Sequence, residues 1–538
     1  MLPVEHPTLF ELVTNLETAK QIGILRADPL WLNLKSKLLS LALITCLSIA
    51  GAAHATPITL VDIIPASDSA ETAQNSEPSL AVNPTNPTQM IAGTFSTFVG
   101  NQVQSPYWIS NNGGMTWSGF GSLLSVDKSL AWGQDGMAAL TTTLNVVGPN
   151  INSISTFQSG ATNFGSAINT FNPNQFLDQP WIRTGPSGKT YVAYNNLSNA
   201  GGRTASLLVS SNNGVTYGPQ VTLETINPAG GQDAPSVRTA VNGSTIYAAF
   251  TRWGGLIESD ANGLRFGSSA VVVAKSTNSG ASFAAGVTAA TTTGYFANTS
   301  NTPLTLGQER TSSDVAIAVD PNNANHVVVA YGDAPGANGS GLLQLHVTES
   351  TDGGATWTNK FTTSSAVRSA LPALSILNDG AIGLLYLSYN PGNNSLSQHF
   401  LTTTDDFATT TETVLGTESN VTPTSNFFPY LGDFYDLTGV DDTFYGIFSA
   451  SNADNGSSAL FPSVSYQRNF SGTPGTPGFQ LRDLSNNPVN PSIDPYVFTQ
   501  TVSTPEPSTL TLLGTGLLGM AALRRRRKQV SYPPRATA

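Results

Sequence analysis

Apolar residues occur along most of this chain in short blocks, cut by Gly, Pro, Asn, Ser and Thr. Pro78-Ser79-Leu80-Ala81-Val82-Asn83-Pro84 leads into Met90-Ile91-Ala92-Gly93, and Asp314-Val315-Ala316-Ile317-Ala318-Val319-Asp320-Pro321 leads into Val327-Val328-Val329-Ala330-Tyr331. Each reads as strand, Asn/Asp-Pro turn, strand. Comparable starts at 129, 179, 234, 371 and 429 complete a series with those at 78 and 314, separated by 51, 50, 55, 80, 57 and 58 residues. No helical period is sustained, which disfavours a helical solenoid. The pattern predicts an all-β chain of seven four-stranded blades, a β-propeller, with six blades as the alternative.

Composition supports many short strands joined by turns. Only 11% of residues are charged, while Gly numbers 50 and Pro 33. A hydrophobic share of 39% also excludes disorder over the body of the chain. Residues 56–503 carry 29 acidic and 13 basic side chains, a net −16 that repels phosphate backbones and argues against a nucleic-acid partner. Cys46 is the single cysteine, so the body contains no disulfide, thiolate nucleophile or cysteine metal site.

One octapeptide recurs: Ser/Thr, any, Asp/Asn, any, Gly, any, Thr/Ser, aromatic. It appears with Ser110, Asn112, Gly114, Thr116 and Trp117; with Ser210, Asn212, Gly214, Thr216 and Tyr217; and with Ser276, Asn278, Gly280, Ser282 and Phe283. The fullest copy has Ser350, Asp352, Gly354, Thr356 and Trp357, while Thr403 to Phe407 is a worn copy without its glycine. A short Asp or Asn accepts from turn amides, and Gly takes a positive φ that a Cβ penalises. The octapeptide resembles the Asp box, or bacterial neuraminidase repeat, of sialidase-like propellers. That resemblance implies that the boxes lie on the rim away from the ligand site. The blade at 126–175 is expected to have lost its copy, and six is the blade number of true sialidases.

Both ends read as addresses. Lys35 and Lys37, the apolar run Leu38 to Ala50, and Ala53-His54-Ala55 give the order of a secretory signal cleaved after Ala55. Pro505-Glu506-Pro507 precedes an apolar stretch from Ser508 to Leu523 and the basic cluster Arg524, Arg525, Arg526, Arg527 and Lys528. This resembles the PEP-CTERM sorting signal of Gram-negative bacteria that make exopolysaccharide. It implies retention at the inner membrane, with the arginines cytoplasmic, until an exosortase-type enzyme cleaves the tail. The expected division is an upstream extension plus signal peptide (1–55), a linker (56–77), the propeller (78–485), a second linker (486–503), the sorting segment (504–528) and a tail (529–538).

Candidate chemistry belongs at the entrances to the innermost strands, which face the central channel. The acids there are Asp178, Asp233, Glu309, Asp314 and Asp433, and two carboxylates across a channel could run glycoside hydrolysis. Gln179, Trp181, Gln232, Arg238, Arg310, Tyr430 and Tyr435 suit carbohydrate binding. Sialidase resemblance would imply three arginines gripping a carboxylate, a Tyr–Glu nucleophile pair and an acid. Blade one has Pro78-Ser79-Leu80 where the family has Arg-Ile-Pro. Arg183, Arg238, Arg252, Arg310 and Arg368 remain for a grip, and Glu309 could partner Tyr331. His326, His346 and His399 show no metal-ligand spacing. The acidic group Asp433, Asp436, Asp441 and Asp442 could hold Ca²⁺ but lacks EF-hand spacing, and no cofactor is expected. The sequence therefore predicts an exported surface or matrix propeller that binds glycan or protein without catalysis. A sialidase-like glycoside hydrolase or lyase is the alternative.

Overall fold

A computed structural model describes residues 57–502, except 100–101, 149–150, 199–202, 227–235, 260–264, 297–314, 337–340, 420–430, 454–460, 462, 475 and 477. The chain forms a seven-bladed β-propeller, with almost no helix among the described residues. The innermost strands are Ser76–Val82, Asp127–Trp132, Leu177–Thr184, Val237–Asn242, Val315–Asp320, Arg368–Ile376 and Asp436–Val440, taken here as blades one to seven. Blades one to six are four-stranded antiparallel meanders in chain order. The long interval after residue 234 is taken up partly by extended strands in blade four, Thr245–Ser259 and Arg265–Ser276.

Burial follows from position in the blade. Second strands such as Thr190–Asn196 are buried along their whole length, because a neighbouring blade covers each face. Outer strands alternate instead, as Asn169–Gln175 does. The core is accordingly a series of apolar clusters, several of them lying between successive blades.

Blade seven departs from the meander. After Asp436–Val440 and Thr443–Ser451 its third strand is Ile493–Thr501 and its fourth is Thr59–Asp62, paired Leu60 to Phe498, with Val464–Tyr466 beyond. The segments expected as linkers thus supply two strands of the last blade. Neither segment shows turn-bounded strand alternation in the sequence; each becomes a strand by pairing with the other. Both propeller boundaries move outward in consequence.

This closure encloses a charged cluster. Arg468 is fully buried and pairs with Asp494, while its Nη1 donates to the Glu71 carbonyl at 3.0 Å. Asn452 donates to Asp494 Oδ2 at 2.6 Å, and the Ile64 amide donates to Asp62 Oδ1 at 3.0 Å. Burial, then the charge of Asp494, pushes the Glu71 carboxyl up to about 8, and Asp62 is raised by the same causes. Between blades six and seven, burial also lifts Glu418 to about 8, although Gln398 Nε2 and the Ser451 amide donate to it.

Removing the guanidinium strands several acids without water, so Arg468→Ala should cost about 3–5 kcal/mol in denaturant unfolding. Glu71 and Glu418 hold a proton in the folded chain at pH values where the unfolded chain, with its carboxyls near 4.5, has lost it. Stability should therefore fall as pH rises from 4.5 to about 8. Melting curves of Glu418→Gln should show part of that fall removed: a higher melting temperature than the wild type at pH 8 and little difference at pH 4.5.

Candidate functional site

Innermost strands fan around an axis and are bridged by side chains at one repeated level. The Leu130 amide donates to Ser79 Oγ at 2.9 Å, and the Ile182 amide donates to Ser129 Oγ at 2.7 Å. Asp436 fills the corresponding place in blade seven, accepting from the Leu80 amide at 3.2 Å and from Ser79 Oγ at 2.9 Å. Its other oxygen receives Arg183 Nη2 at 3.0 Å. Asp436 is therefore satisfied on both oxygens and works as a brace.

In blade three the bridging position is Trp181, which carries cations against its ring. The guanidinium carbons of Arg183 and Arg238 each lie 4.4 Å from the ring centre. Phe434 meets the indole edge-on at 5.3 Å, and Arg238 and Lys128 lie 5.5 and 5.8 Å from the Phe434 ring. Lys128 donates to the Glu77 carbonyl, and burial lowers its ammonium to about 8 against the pull of Glu77, Asp127 and Asp436. This stack narrows the channel to a gap of about 20 Å³.

Below the throat the channel widens into a cavity of about 300 Å³ at the C-terminal ends of the innermost strands. Leu80, Leu130, Ile376 and the Trp132 ring give it apolar walls, while Gln134, Arg183 and Asp441 bring polar groups to it. The Trp132 Nε1–H is buried and has no hydrogen-bond partner among the described residues. Gln134 is exposed, its Nε2 3.4 Å from the Thr184 carbonyl. Sequence reasoning placed the site only at the opposite end, where the strands begin. The signal for the cavity was the series of Ala131-Trp132, Ile182-Arg183 and similar pairs late in those strands.

The residues singled out from sequence separate as follows. Asp178 accepts from the Gln179 amide at 3.0 Å, and Asp127 accepts from the same amide at 3.2 Å. Gln179 is buried at a φ of 48°, as Glu77 is in blade one, and both precede proline. Asp433 is buried; Tyr435 is buried too, and its hydroxyl donates to the Ser449 carbonyl at 3.4 Å. Burial, then Glu418, raises the Tyr435 phenol far above its usual range. Gln232, Asp233, Glu309, Arg310, Asp314 and Tyr430 lie outside the described residues.

Of the four described arginines of the expected grip, Arg183 and Arg238 meet on Trp181 and Arg252 does not join them. Arg252 pairs with Glu224 between blades four and three, away from the throat that holds Arg183 and Arg238. Tyr331 stacks on His346 with centroids 5.5 Å apart. The acidic group also divides. Asp436 braces the throat, whereas Asp441 and Asp442 are exposed in the hairpin at the other end of the same strand, so they form no common Ca²⁺ cage.

The octapeptides all occupy turns between third and fourth strands, in blades one, three, four, five and six. Ser350 Oγ accepts from the Gly354 amide at 2.8 Å, and Asp352 accepts from the Thr356 amide at 2.9 Å and its hydroxyl at 2.6 Å. Those bonds hold the exposed Asp352 carboxyl down at about 2. The worn copy keeps the same bonds: the Phe407 amide donates to Thr403 Oγ1 at 3.0 Å, and the Thr409 amide to Asp405 Oδ1 at 2.8 Å. Phe407 takes the glycine place at a φ of 65°. The turns and the 300 Å³ cavity share one end of the propeller.

A family model described as the PEP-CTERM protein-sorting motif matches residues 503–527. This marks the chain for export through membrane-associated sorting in Gram-negative bacteria. The motif and the expected signal peptide lie outside the described residues, among which no helix is long and apolar enough to cross a membrane. No curated protein matches the chain. Among solved structures, an ulvan lyase of a new polysaccharide lyase family is similar at 11% identity, covering 70% of this chain and 92% of its own, with a TM-score of 0.43. An α-L-arabinofuranosidase of Fusarium graminearum is similar at 11% identity, covering 67% and 97%, with a TM-score of 0.40. A neuraminidase-like protein of A/little yellow-shouldered bat/Guatemala shows 9% identity, 62% and 96% coverage, and a TM-score of 0.36.

If Asp436 is a brace, its loss should be felt as stability. Asp436→Ala leaves Arg183, Ser79 and the Leu80 amide unanswered and should cost about 3 kcal/mol by denaturant titration.

Proposed function

We propose that this exported propeller binds glycan in the cavity below its channel throat and does not hydrolyse it. One observation carries the reading: Asp127, Asp178 and Asp436 are engaged by backbone amides and Arg183, leaving Asp441 as the one exposed carboxylate on the described lining of a 300 Å³ space that Trp132, Gln134 and Arg183 also line. Two-carboxylate hydrolysis needs acids able to exchange protons with substrate and water. Apolar walls with a few convergent polar groups suit saccharide recognition instead. The octapeptide turns are read as Asp boxes that hold the blade edges. The Pro505-Glu506-Pro507 segment is the site near which an exosortase-type enzyme would release the body from the inner membrane. The released body would then act at the cell surface or in the exopolysaccharide matrix.

A glycan array probed with the full chain, followed by turnover assays on every hit, tests this. We expect binding without product release. Gln134→Ala, which removes the exposed amide, should weaken it about tenfold, the worth of one hydrogen bond. Product release that stops in Asp178→Asn or Asp433→Asn would replace the reading with a hydrolase or lyase.

A further inference from the structure

Blade five carries a row of ionisable side chains, one from each strand. Asp320 ends the first strand, His326 is the fourth residue of Asn323–Asp333, Glu349 is next to last in Gln344–Ser350, and Lys360 lies in Thr358–Thr362. Asp320 Oδ2 is 3.3 Å from His326 Nδ1, and Lys360 Nζ is 2.6 Å from Glu349 Oε2. Glu349 Oε1 is 2.8 Å from His326 Nε2, yet neither buried atom makes a hydrogen bond among the described residues. His326 is only 9% exposed and Glu349 only 4%. Asp406, from the worn turn of blade six, brings Oδ1 to 4.0 Å from the same Nε2. The three ligand atoms all lie within 4.8 Å of one another.

We infer that His326, Glu349 and Asp406 bind one divalent transition-metal cation of zinc type, tying blade five to the turn of blade six. With Nδ1–H donating to Asp320, Nε2 presents its lone pair to the cluster, the arrangement that orients metal-binding histidines. Lys360 holds the other oxygen of Glu349, leaving Oε1 to ligate. Three carboxylates and one ammonium leave a formal charge of −2 around a neutral imidazole, which a dication cancels. One nitrogen and two carboxylate oxygens, with a fourth place for water, suit Zn²⁺. Ca²⁺ wants six or more oxygens. Tetrahedral bonds of about 2.1 Å set ligand atoms about 3.4 Å apart, a spacing that the 2.8 and 4.0 Å separations bracket.

The turn of blade six is shaped to suit. Its positions 406 and 407 both have positive φ, 53° and 65°, where the blade-five turn has Gly353 and Gly354. Among the five turns, it is the one that places a carboxylate at this position. No ligand spacing is visible in sequence because the three residues come from two blades.

The full chain, stripped with chelator and titrated with Zn²⁺ alone against a competing chromophoric chelator, gives the test. The wild type should bind one equivalent of Zn²⁺ more than His326→Gln, prefer Zn²⁺ to Ca²⁺, and melt higher when loaded. Asp406 is exposed, so Asp406→Asn should fold normally and bind that Zn²⁺ at least tenfold more weakly. Asp405→Asn, whose carboxylate faces Thr403 and Thr409, should bind like the wild type. Equal Zn²⁺ affinity in wild type and Asp406→Asn, preference for Ca²⁺, or equal losses in the 405 and 406 variants would overturn the assignment.

Discussion

The whole ring depends on the pairing of Thr59–Asp62 with Ile493–Thr501. A propeller blade buries both faces against neighbours, so an open ring would leave two apolar sheet faces in water. Clasping the two chain ends in one blade removes both exposed faces together. The clasp is reinforced from inside by Arg468 among Asp494, Asp62 and the Glu71 carbonyl. A buried ion cluster is a poor source of net stability but a strong source of register, since a slipped strand would bury charge without a partner.

The throat solves a second geometric problem. Neighbouring innermost strands lie too far apart for a continuous ladder, so hydroxyls and one carboxylate bridge them at a fixed level. Where blade three places Trp181 at that level, cations pack on the ring and the channel narrows. The residues that line the cavity are then those further along the same strands, from Leu130 to Trp132 in blade two and Arg183 and Thr184 in blade three. Structure and site thus share a repeat but use different positions of it.

Fold was legible in the sequence because it is written in repeated local signals. Apolar blocks at a regular interval marked the innermost strands, two of them closed by Asn/Asp-Pro turns, and the octapeptides fell in equivalent turns. The closing strands were not legible, since Thr59–Asp62 has no neighbour in sequence to pair with. The site was legible only in part. Arg183 and Arg238 could be named as arginines, but their meeting on Trp181 depends on where blades three and four abut. His326, Glu349 and Asp406 show the same limit, for strand spacing within a blade and contact between blades have no signature in linear order. Phe407 shows the converse: a turn can keep its hydrogen bonds after losing the glycine by which it is recognised.

The clasp also orders events in time. A chain translocated amino end first delivers Thr59–Asp62 at the start, yet its partner strand arrives only with Ile493–Thr501, after every other blade. The ring must wait as an open arc through nearly the whole of its own export. Its last strand ends two residues before the matched sorting motif begins at 503. Completion of the fold and delivery of the sorting segment are therefore nearly one event along the chain, and a body severed early would leave with its seam still unsealed.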